Sequence, residues 1–337
     1  MKLLEKLVNA IGPSGYENNV REIIQKEIKP YVDEVKVDKM GNLIARKKGK
    51  GKKIMLAAHM DEIGIMVKRI SDEGFLKISP IGGIEPITLI GQRVNIVKNN
   101  KILCKGVISF KELHDDLELA EETPLMEDLY VDTGLNKIEV KKIINIGDYI
   151  VPEANFSFLG NKKIVSGKAL DDRIGCYILI ELIKKIKNRK WDIYFVFTVQ
   201  EEIGLYGAKT SVYKINPDLA IAVDTTNAKD GSIKECKIGS GAFLTIKDSE
   251  LISNRNLNDS IKKLAKQNKL PLQLEVADEG TTDATNIMLH KGGVASTVVS
   301  VGIRNMHSTI SVAHKDDINY CIKLLHLILK NSQKIKI

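Results

Sequence analysis

The stretch AAHMDEIG, residues 57–64, sets His59, Asp61 and Glu62 directly after the apolar run Ile54-Met55-Leu56-Ala57-Ala58. Imidazoles and carboxylates delivered to the open end of a buried strand are the groups that bind metal ions or move protons. Four further stretches share this character: SGKALDDRIG (166–175), VFTVQEEIGLYGA (196–208), AVDTTNA (222–228) and RNMHSTIS (304–311). In each, a carboxylate or histidine follows an apolar strand or immediately precedes a helix. The donors are His59, Asp171, Glu202, Asp224 and His307, a mixture of imidazole nitrogen and carboxylate oxygen. Such a mixture suits zinc, cobalt or manganese, whereas oxygen alone would suit calcium or magnesium. The set also exceeds what one zinc ion needs. If Asp171 bridges two divalent ions, each takes one histidine, one terminal carboxylate and the shared one, with the ions roughly 3.5 to 4 Å apart and a water between them.

The doubled glutamate Glu201-Glu202 extends this chemistry. Adjacent carboxylates raise each other's proton affinity, and a metal pair offsets that cost for the one that coordinates. The free one is then placed to take a proton from water and deliver it to a departing amine. Asp61, two positions after His59, is placed to accept that histidine's second ring N–H and fix its tautomer. Alone, each motif has a plainer reading: HMDE as turn chemistry, LDDR as a helix cap, QEE as a solvated helix start. Their joint placement at the mouth of one domain favours a site. His114 falls in an acidic segment, His290 and His326 in helical patterns; His314 competes with His307 because Asp316 and Asp317 follow it, but those two aspartates also suit the N-terminal cap of the last helix, and His307 is preferred because it follows the buried strand STVVSVG.

The elements that must position these residues alternate. KKIMLAAH reads as a buried strand, DDRIGCYILIELIKKIK as a helix with Asp171 or Asp172 at its start, WDIYFVFTV as a strand, GLYGAKTSVYK as a short helix and DLAIAVD as a strand. RNLNDSIKKLAKQNKL then reads as a helix, GVASTVVSVG as a strand, and Ile318, Cys321, Ile322, Leu325 and Leu329 mark a closing amphipathic helix. This order predicts an α/β fold, a mainly parallel sheet sandwiched between helices. Between about 66 and 163 the texture changes to short strand-like runs separated by glycine, proline and asparagine turns, with one helix expected within 112–122. The expected organisation is a catalytic α/β domain of residues 1–65 and 164–337, interrupted by a β-rich domain over 66–163.

Composition narrows the class. The chain has 337 residues, of which 43% are hydrophobic and 28% charged, so it can bury a sizeable core. No apolar run approaches the roughly 20 residues of a membrane span, and the first residues lack a continuous signal core, so a cytoplasmic protein without membrane contact is expected. Cys104, Cys176, Cys236 and Cys321 form no CxxC pair, and Cys176 and Cys321 sit in apolar helical patterns as small hydrophobes. The net charge of +8 comes from lysines spread along the chain, and 5% aromatic residues leave few stacking platforms, which argues against nucleic acid as a partner. There is no GxSxG elbow, and KGKGKK lacks a Walker-type Gly-Lys-Ser/Thr.

The stretches AAHMDEIGIMV, GGIEPITLIGQRV, VSGKALDDRIGC, VQEEIGLYGA, VDTT, GTTDATNI and MHS occur in an order that resembles the tetrahedral (TET) metallo-aminopeptidases. That family includes glutamyl and deblocking aminopeptidases and proteins once labelled cellulase M, and the resemblance covers nearly the whole chain. It implies the α/β zinc-peptidase fold with a smaller inserted all-β domain. It further implies two divalent metal ions, zinc or cobalt first and manganese next, with His59 and Asp224 on one ion, Glu202 and His307 on the other, and Asp171 bridging. Glu201 would be the general base and Asp61 the support of His59. The implied activity is removal of N-terminal residues from short peptides by subunits that self-associate as dimers and often as a dodecameric tetrahedron. Two rivals remain at this level: a dinuclear amidohydrolase acting on N-acyl amino acids, and a non-catalytic scaffold or binding protein stabilised by its metals. Glycoside hydrolysis fits least, because it usually needs a carboxylate pair flanking the bond.

Overall fold

A computed structural model of the chain describes residues 1–110, 124–187, 190–228 and 236–337. His114 and the helix expected within 112–122 lie outside the described residues.

Helices α1 (Lys2–Asn9) and α2 (Asn18–Ile28) lead into strands β1 (Glu34–Val37) and β2 (Leu43–Lys47) and then the buried strand β3 (Lys53–His59). The chain next forms β4 (Gly64–Ile70), β5 (Leu76–Ile81), β6 (Arg93–Lys98), β7 (Lys101–Phe110), β8 (Leu129–Asp132), helix α3 (Lys137–Ile143) and β9 (Tyr149–Pro152). It returns through β10 (Ser157–Phe158) and β11 (Ile164–Gly167) to α4 (Leu170–Lys185), β12 (Asp192–Thr198), α5 (Tyr206–Ile215), β13 (Leu219–Asn227) and β14 (Ala242–Lys247). Helix α6 (Arg255–Gln267), β15 (Leu272–Val276), α7 (Asp283–Met288), β16 (Ala295–Arg304), β17 (Ser311–His314) and α8 (Lys315–Lys330) complete it.

Eleven strands make one mixed sheet in which β12, β3, β13 and β16 run parallel at the centre, flanked by antiparallel pairs on either side. The parallel strands are buried on both faces, which is why they read as continuous apolar runs. Along β3 the two-residue period sends Ile54, Leu56 and Ala58 into the core shared with α1, α2, α4, α6 and α8. Met55 and Ala57 point the other way, into the smaller core that holds Ala208 and Val212 of α5 and Ile287 of α7. Each buried isoleucine, leucine, valine or methionine among them contributes about 1.5 to 3 kcal/mol, so a one-residue slip would misplace both cores at once. Register is therefore fixed where the strands end: His59 lies opposite Thr198, and the pairing of Ala57 with Ala222 brings Asp224 level with His59.

The chain between β3 and β10 makes a closed six-stranded antiparallel barrel in the order β4-β5-β8-β7-β6-β9, with its own apolar core of residues such as Ile65, Leu76, Val94, Ile108 and Val131. Helix α3 belongs to this segment and is absent from the pattern-based reading, being only seven residues long. Its signal was nonetheless present. Asn136 accepts the amides of Ile138 and Glu139, and Glu139 reaches back to the Asn136 amide, a capping box that holds so short a helix. Cys176 and Cys321 are buried free thiols, and no helix among the described residues is long and apolar enough to cross a membrane.

Candidate metal centre

Four strand ends and one helix start supply the site. Strand β3 ends at His59, β12 runs through Thr198 into the turn that holds Glu201 and Glu202, β13 carries Asp224, and His307 follows β16. Asp171 sits in the first turn of α4, where the backbone departs from helical geometry at Asp171 and Asp172. That departure divides the acidic pair. Asp172 turns inward to accept the amides of Gly175 at 2.8 Å and His59 at 3.3 Å, taking the capping role, while Asp171 faces the open end of the sheet.

The Asp171 carboxylate looks both ways. Its Oδ1 lies 3.2 Å from His59 Nε2 and its Oδ2 lies 3.9 Å from His307 Nε2. Around His59 stand Asp224 Oδ1 at 3.7 Å and Glu201 Oε2 at 3.9 Å; beside His307 stands Glu202 Oε2 at 3.8 Å. The structure thus brings the five preferred donors, His59, Asp171, Glu202, Asp224 and His307, into one cluster with Glu201 and Asp61. Donor atoms of His59, Asp171 and Glu202 form one group within 4.8 Å of one another, and those of His59, Asp172 and Asp224 form a second. His59 and Asp61 are buried, whereas the His307 side chain is 42% exposed, so the cluster opens to solvent on that side. His314 does not reach it: its Nδ1 accepts the Asp316 amide and so caps α8, and Asp317 instead binds the amides of Gly239 and Gly241.

Asp61 does more than its expected support of His59. The His59 Nδ1 lies 3.2 Å from the Asp61 carbonyl oxygen and 3.5 Å from its Oδ1. The carboxylate also accepts the amide of Glu201 on Oδ1 and that of Glu202 on Oδ2, each at 3.1 Å, and the Ser14 hydroxyl at 2.6 Å. With these donors and His59 beside it, Asp61 stays below the usual carboxylate range although burial opposes this.

Electrostatically the cluster has too much negative charge for its two imidazoles. Burial, reinforced by neighbouring carboxylates, pushes Glu201, Glu202 and Asp224 well above their ordinary values. Burial alone would lower His59, but Glu201, Asp171, Asp61 and Asp224 outweigh it and hold the imidazole well above its usual value. Asp171 is lowered against the cost of burial by His59 and His307. A donor set of this kind, deprotonated only at a cost, is what divalent cations neutralise, so the residues fit metal ions.

Other members of the neighbourhood were not drawn from the sequence. Asp283, at the start of α7, accepts the Thr198 hydroxyl at 2.5 Å on Oδ2, has no hydrogen-bond partner on its buried Oδ1 among the described residues, and is raised by burial to about 6. Glu17 and Ser14 reach the site from the loop before α2, and Gly82 and Gly83 from the loop after β5. The stretch GPSGYE held a carboxylate among turn residues, but nothing local to it pointed to a partner far along the chain.

The family described as M42 glutamyl aminopeptidase matches residues 41–324. A lysyl aminopeptidase of Pyrococcus furiosus is 35% identical over 341 residues, covering 98% of this chain and 96% of its own. Among solved structures, an aminopeptidase of the archaeon Desulfurococcus kamchatkensis superposes with a TM-score of 0.93 at 36% identity, covering 98% of this chain and 94% of its own. The TET1 peptidase of Pyrococcus horikoshii, which can assemble into a tetrahedron or a large octahedral shell, gives 0.89 at 34% identity over 97% of this chain and 98% of its own.

Proposed function

Because the chain belongs to the M42 glutamyl aminopeptidase family, we propose that it is a metal-dependent aminopeptidase that cleaves N-terminal residues from short peptides. The observation that carries this reading is the Asp171 carboxylate, with one oxygen toward His59 and the other toward His307. In this reading His59 and Asp224 hold one divalent ion, Glu202 and His307 the other, and Asp171 both, with zinc or cobalt preferred and manganese next. When bound, the ions supply Lewis acidity toward the scissile carbonyl and make an attacking water more acidic.

The remaining chemistry belongs to the chain. Glu201 is the general base: its Oε2, 3.9 Å from His59 Nε2, accepts the proton of water and returns it to the departing amine. Asp61 orients the His59 ring and, through the amides of Glu201 and Glu202, the turn that holds base and ligand together.

The same reading assigns residues 1–65 and 164–337 to the catalytic unit and 66–163 to an inserted unit for assembly and access; the barrel's separate core supports an insert, with its first strand starting at Gly64 and β10 already part of the large sheet. It also has the subunits self-associating as dimers and into a tetrahedral shell, in line with the Pyrococcus horikoshii relative, and working in a reducing compartment such as the cytoplasm, which the buried thiols of Cys176 and Cys321 fit. The chain's relatives include both a lysyl aminopeptidase of Pyrococcus furiosus and a glutamyl aminopeptidase of Lactococcus lactis, so the residue removed is a matter for the substrate panel.

The test is a panel of aminoacyl-anilides set against N-acyl amino acids, with zinc, cobalt or manganese added, on the wild type and Glu201→Gln. Anilide hydrolysis that vanishes in Glu201→Gln while metal content is retained is the expected outcome. Wild-type turnover in that variant removes the role of the base, and hydrolysis of N-acyl amino acids alone removes the aminopeptidase reading.

A further inference from the structure

The turn that holds Glu201 and Glu202 hangs by its backbone from two carboxylates. Three successive amides point at them: Gln200 N donates to Glu17 Oε1 at 3.2 Å, Glu201 N to Asp61 Oδ1 and Glu202 N to Asp61 Oδ2, both at 3.1 Å. Gln200 lies in the left-handed region with φ of 54°, a conformation that a glutamine adopts when its surroundings impose it. The Gln200 amide bond to Glu17 is part of what imposes it.

Glu17 itself is held rigidly. It is 5% exposed, its Oε1 also accepts the Gly15 amide at 2.7 Å, and it forms no ion pair among the described residues. The segment before it is zipped to the loop after β3: Gly12 N donates to Glu62 Oε1, Glu62 N to the Gly12 carbonyl, Ser14 N to the Glu62 carbonyl and the Ser14 hydroxyl to Asp61. Tyr16 packs on Tyr149 of the barrel with ring centroids 4.9 Å apart. A buried carboxylate with no ion pair among the described residues, whose Oε1 accepts one local and one remote amide, is costly to keep for structure alone.

We propose that Glu17 is a positioning residue for the general base, holding the Gln200 amide so that the Glu201 carboxylate keeps its place beside His59. The inference rests on the assignment of Glu201 as base. It extends the site to a residue 184 positions earlier in the sequence, carried by the N-terminal segment instead of a strand end. Displacement of a reacting group by about 1 Å costs on the order of 100-fold in rate, and removal of an orienting partner about 10- to 100-fold.

The experiment compares wild type, Glu17→Ala, Glu17→Gln and Glu201→Gln on the best aminoacyl-p-nitroanilide, with metal content per subunit measured on each. Glu17→Ala is expected to lose about 10- to 100-fold in kcat, with KM moving less than about threefold and metal content unchanged. Glu17→Gln keeps an acceptor oxygen for both amides and is expected to return to within about threefold of wild type. An unchanged kcat in Glu17→Ala, a loss confined to KM or to metal content, or a Gln variant as impaired as Ala would each overturn the inference. If Glu17→Ala does not fold, Glu17→Asp replaces it: the shorter side chain falls short of the Gln200 amide and must lose kcat while Gln does not. Wild-type turnover in Glu201→Gln would instead bring down the base assignment, so the two failures are distinguishable.

Discussion

At the scale of single residues the site is defined by carboxylates held in places where charge is costly. Glu17 shows the consequence for stability. Burial, with Asp61 adding to it, raises its carboxyl from an ordinary 4.5 to about 7, against the opposing pull of the Gly15 and Gln200 amides. Between those values the folded protein binds more protons than the unfolded chain, so stability present at low pH is lost as pH rises through about 4.5 to 7. The loss is at most about 3.5 kcal/mol, since one pKa unit corresponds to about 1.4 kcal/mol. Glu17→Gln, uncharged at every pH, should therefore gain stability over the wild type in metal-free urea melts at pH 8 and show little gain at pH 4.5. Parallel pH profiles for the two proteins would contradict this.

At the scale of elements the site depends on a buried ionic knot beside it. Glu62, one residue beyond Asp61, receives Lys168 Nζ on both oxygens at 2.7 Å and Arg173 Nη2 at 3.3 Å. Arg173 also donates to the carbonyls of Leu7, Ala10, Gly12 and Met60, so one side chain of α4 ties α1, the N-terminal segment and the end of β3 together. All three charged groups are nearly or fully buried, which makes the knot intolerant of losing its only carboxylate among these partners. Glu62→Ala should cost about 3 to 5 kcal/mol in urea denaturation, because two cations are left buried without a counter-charge. A change below about 1 kcal/mol would mean that water or a neighbour replaces it.

At the scale of the whole molecule the barrel and the sheet meet at the site. A Cβ on Gly83 would lie 3.2 Å from His307 Nδ1, and one on Gly82, already at φ of 81°, would lie 2.9 Å from Ile63 and 3.2 Å from Glu202. Two glycines of the inserted segment thus leave room for two candidate ligands, and Gly83→Val should push the half-exposed His307 ring outward. The expected readout is metal content below that of wild type with little change in melting temperature; full metal content would contradict it. The cluster as a whole also sets how the fold responds to metal removal. In metal-free protein burial raises Glu201, Glu202 and Asp224 above the values they have in the unfolded chain, so the folded cluster binds more protons and stability falls as pH rises above the unfolded carboxylate values. Chelated protein should melt progressively earlier between about pH 5 and 8, and added zinc should abolish most of that slope, a bound ligand in thousandfold excess over its Kd being worth about 4 kcal/mol. Identical melts with chelator and with zinc at pH 8 would rule out the centre.

What the sequence determined by itself was the chemistry and the frame. Continuous apolar runs such as KKIMLAAH and WDIYFVFTV could only be strands buried on both faces, and donors at their ends could only converge if those strands ran parallel. The change of texture after β3 likewise marked an all-β insert, since short runs between turn residues cannot build parallel crossovers. The tertiary structure alone decided the contacts made through the backbone and through space. Which aspartate of the Asp171-Asp172 pair faces the site depends on a local departure from helix, and the reach of Glu17 to the amide of Gln200 depends on packing between segments far apart in the chain. Periodicity records which face of an element is apolar; it carries no record of where an amide hydrogen finds its acceptor once the elements have packed.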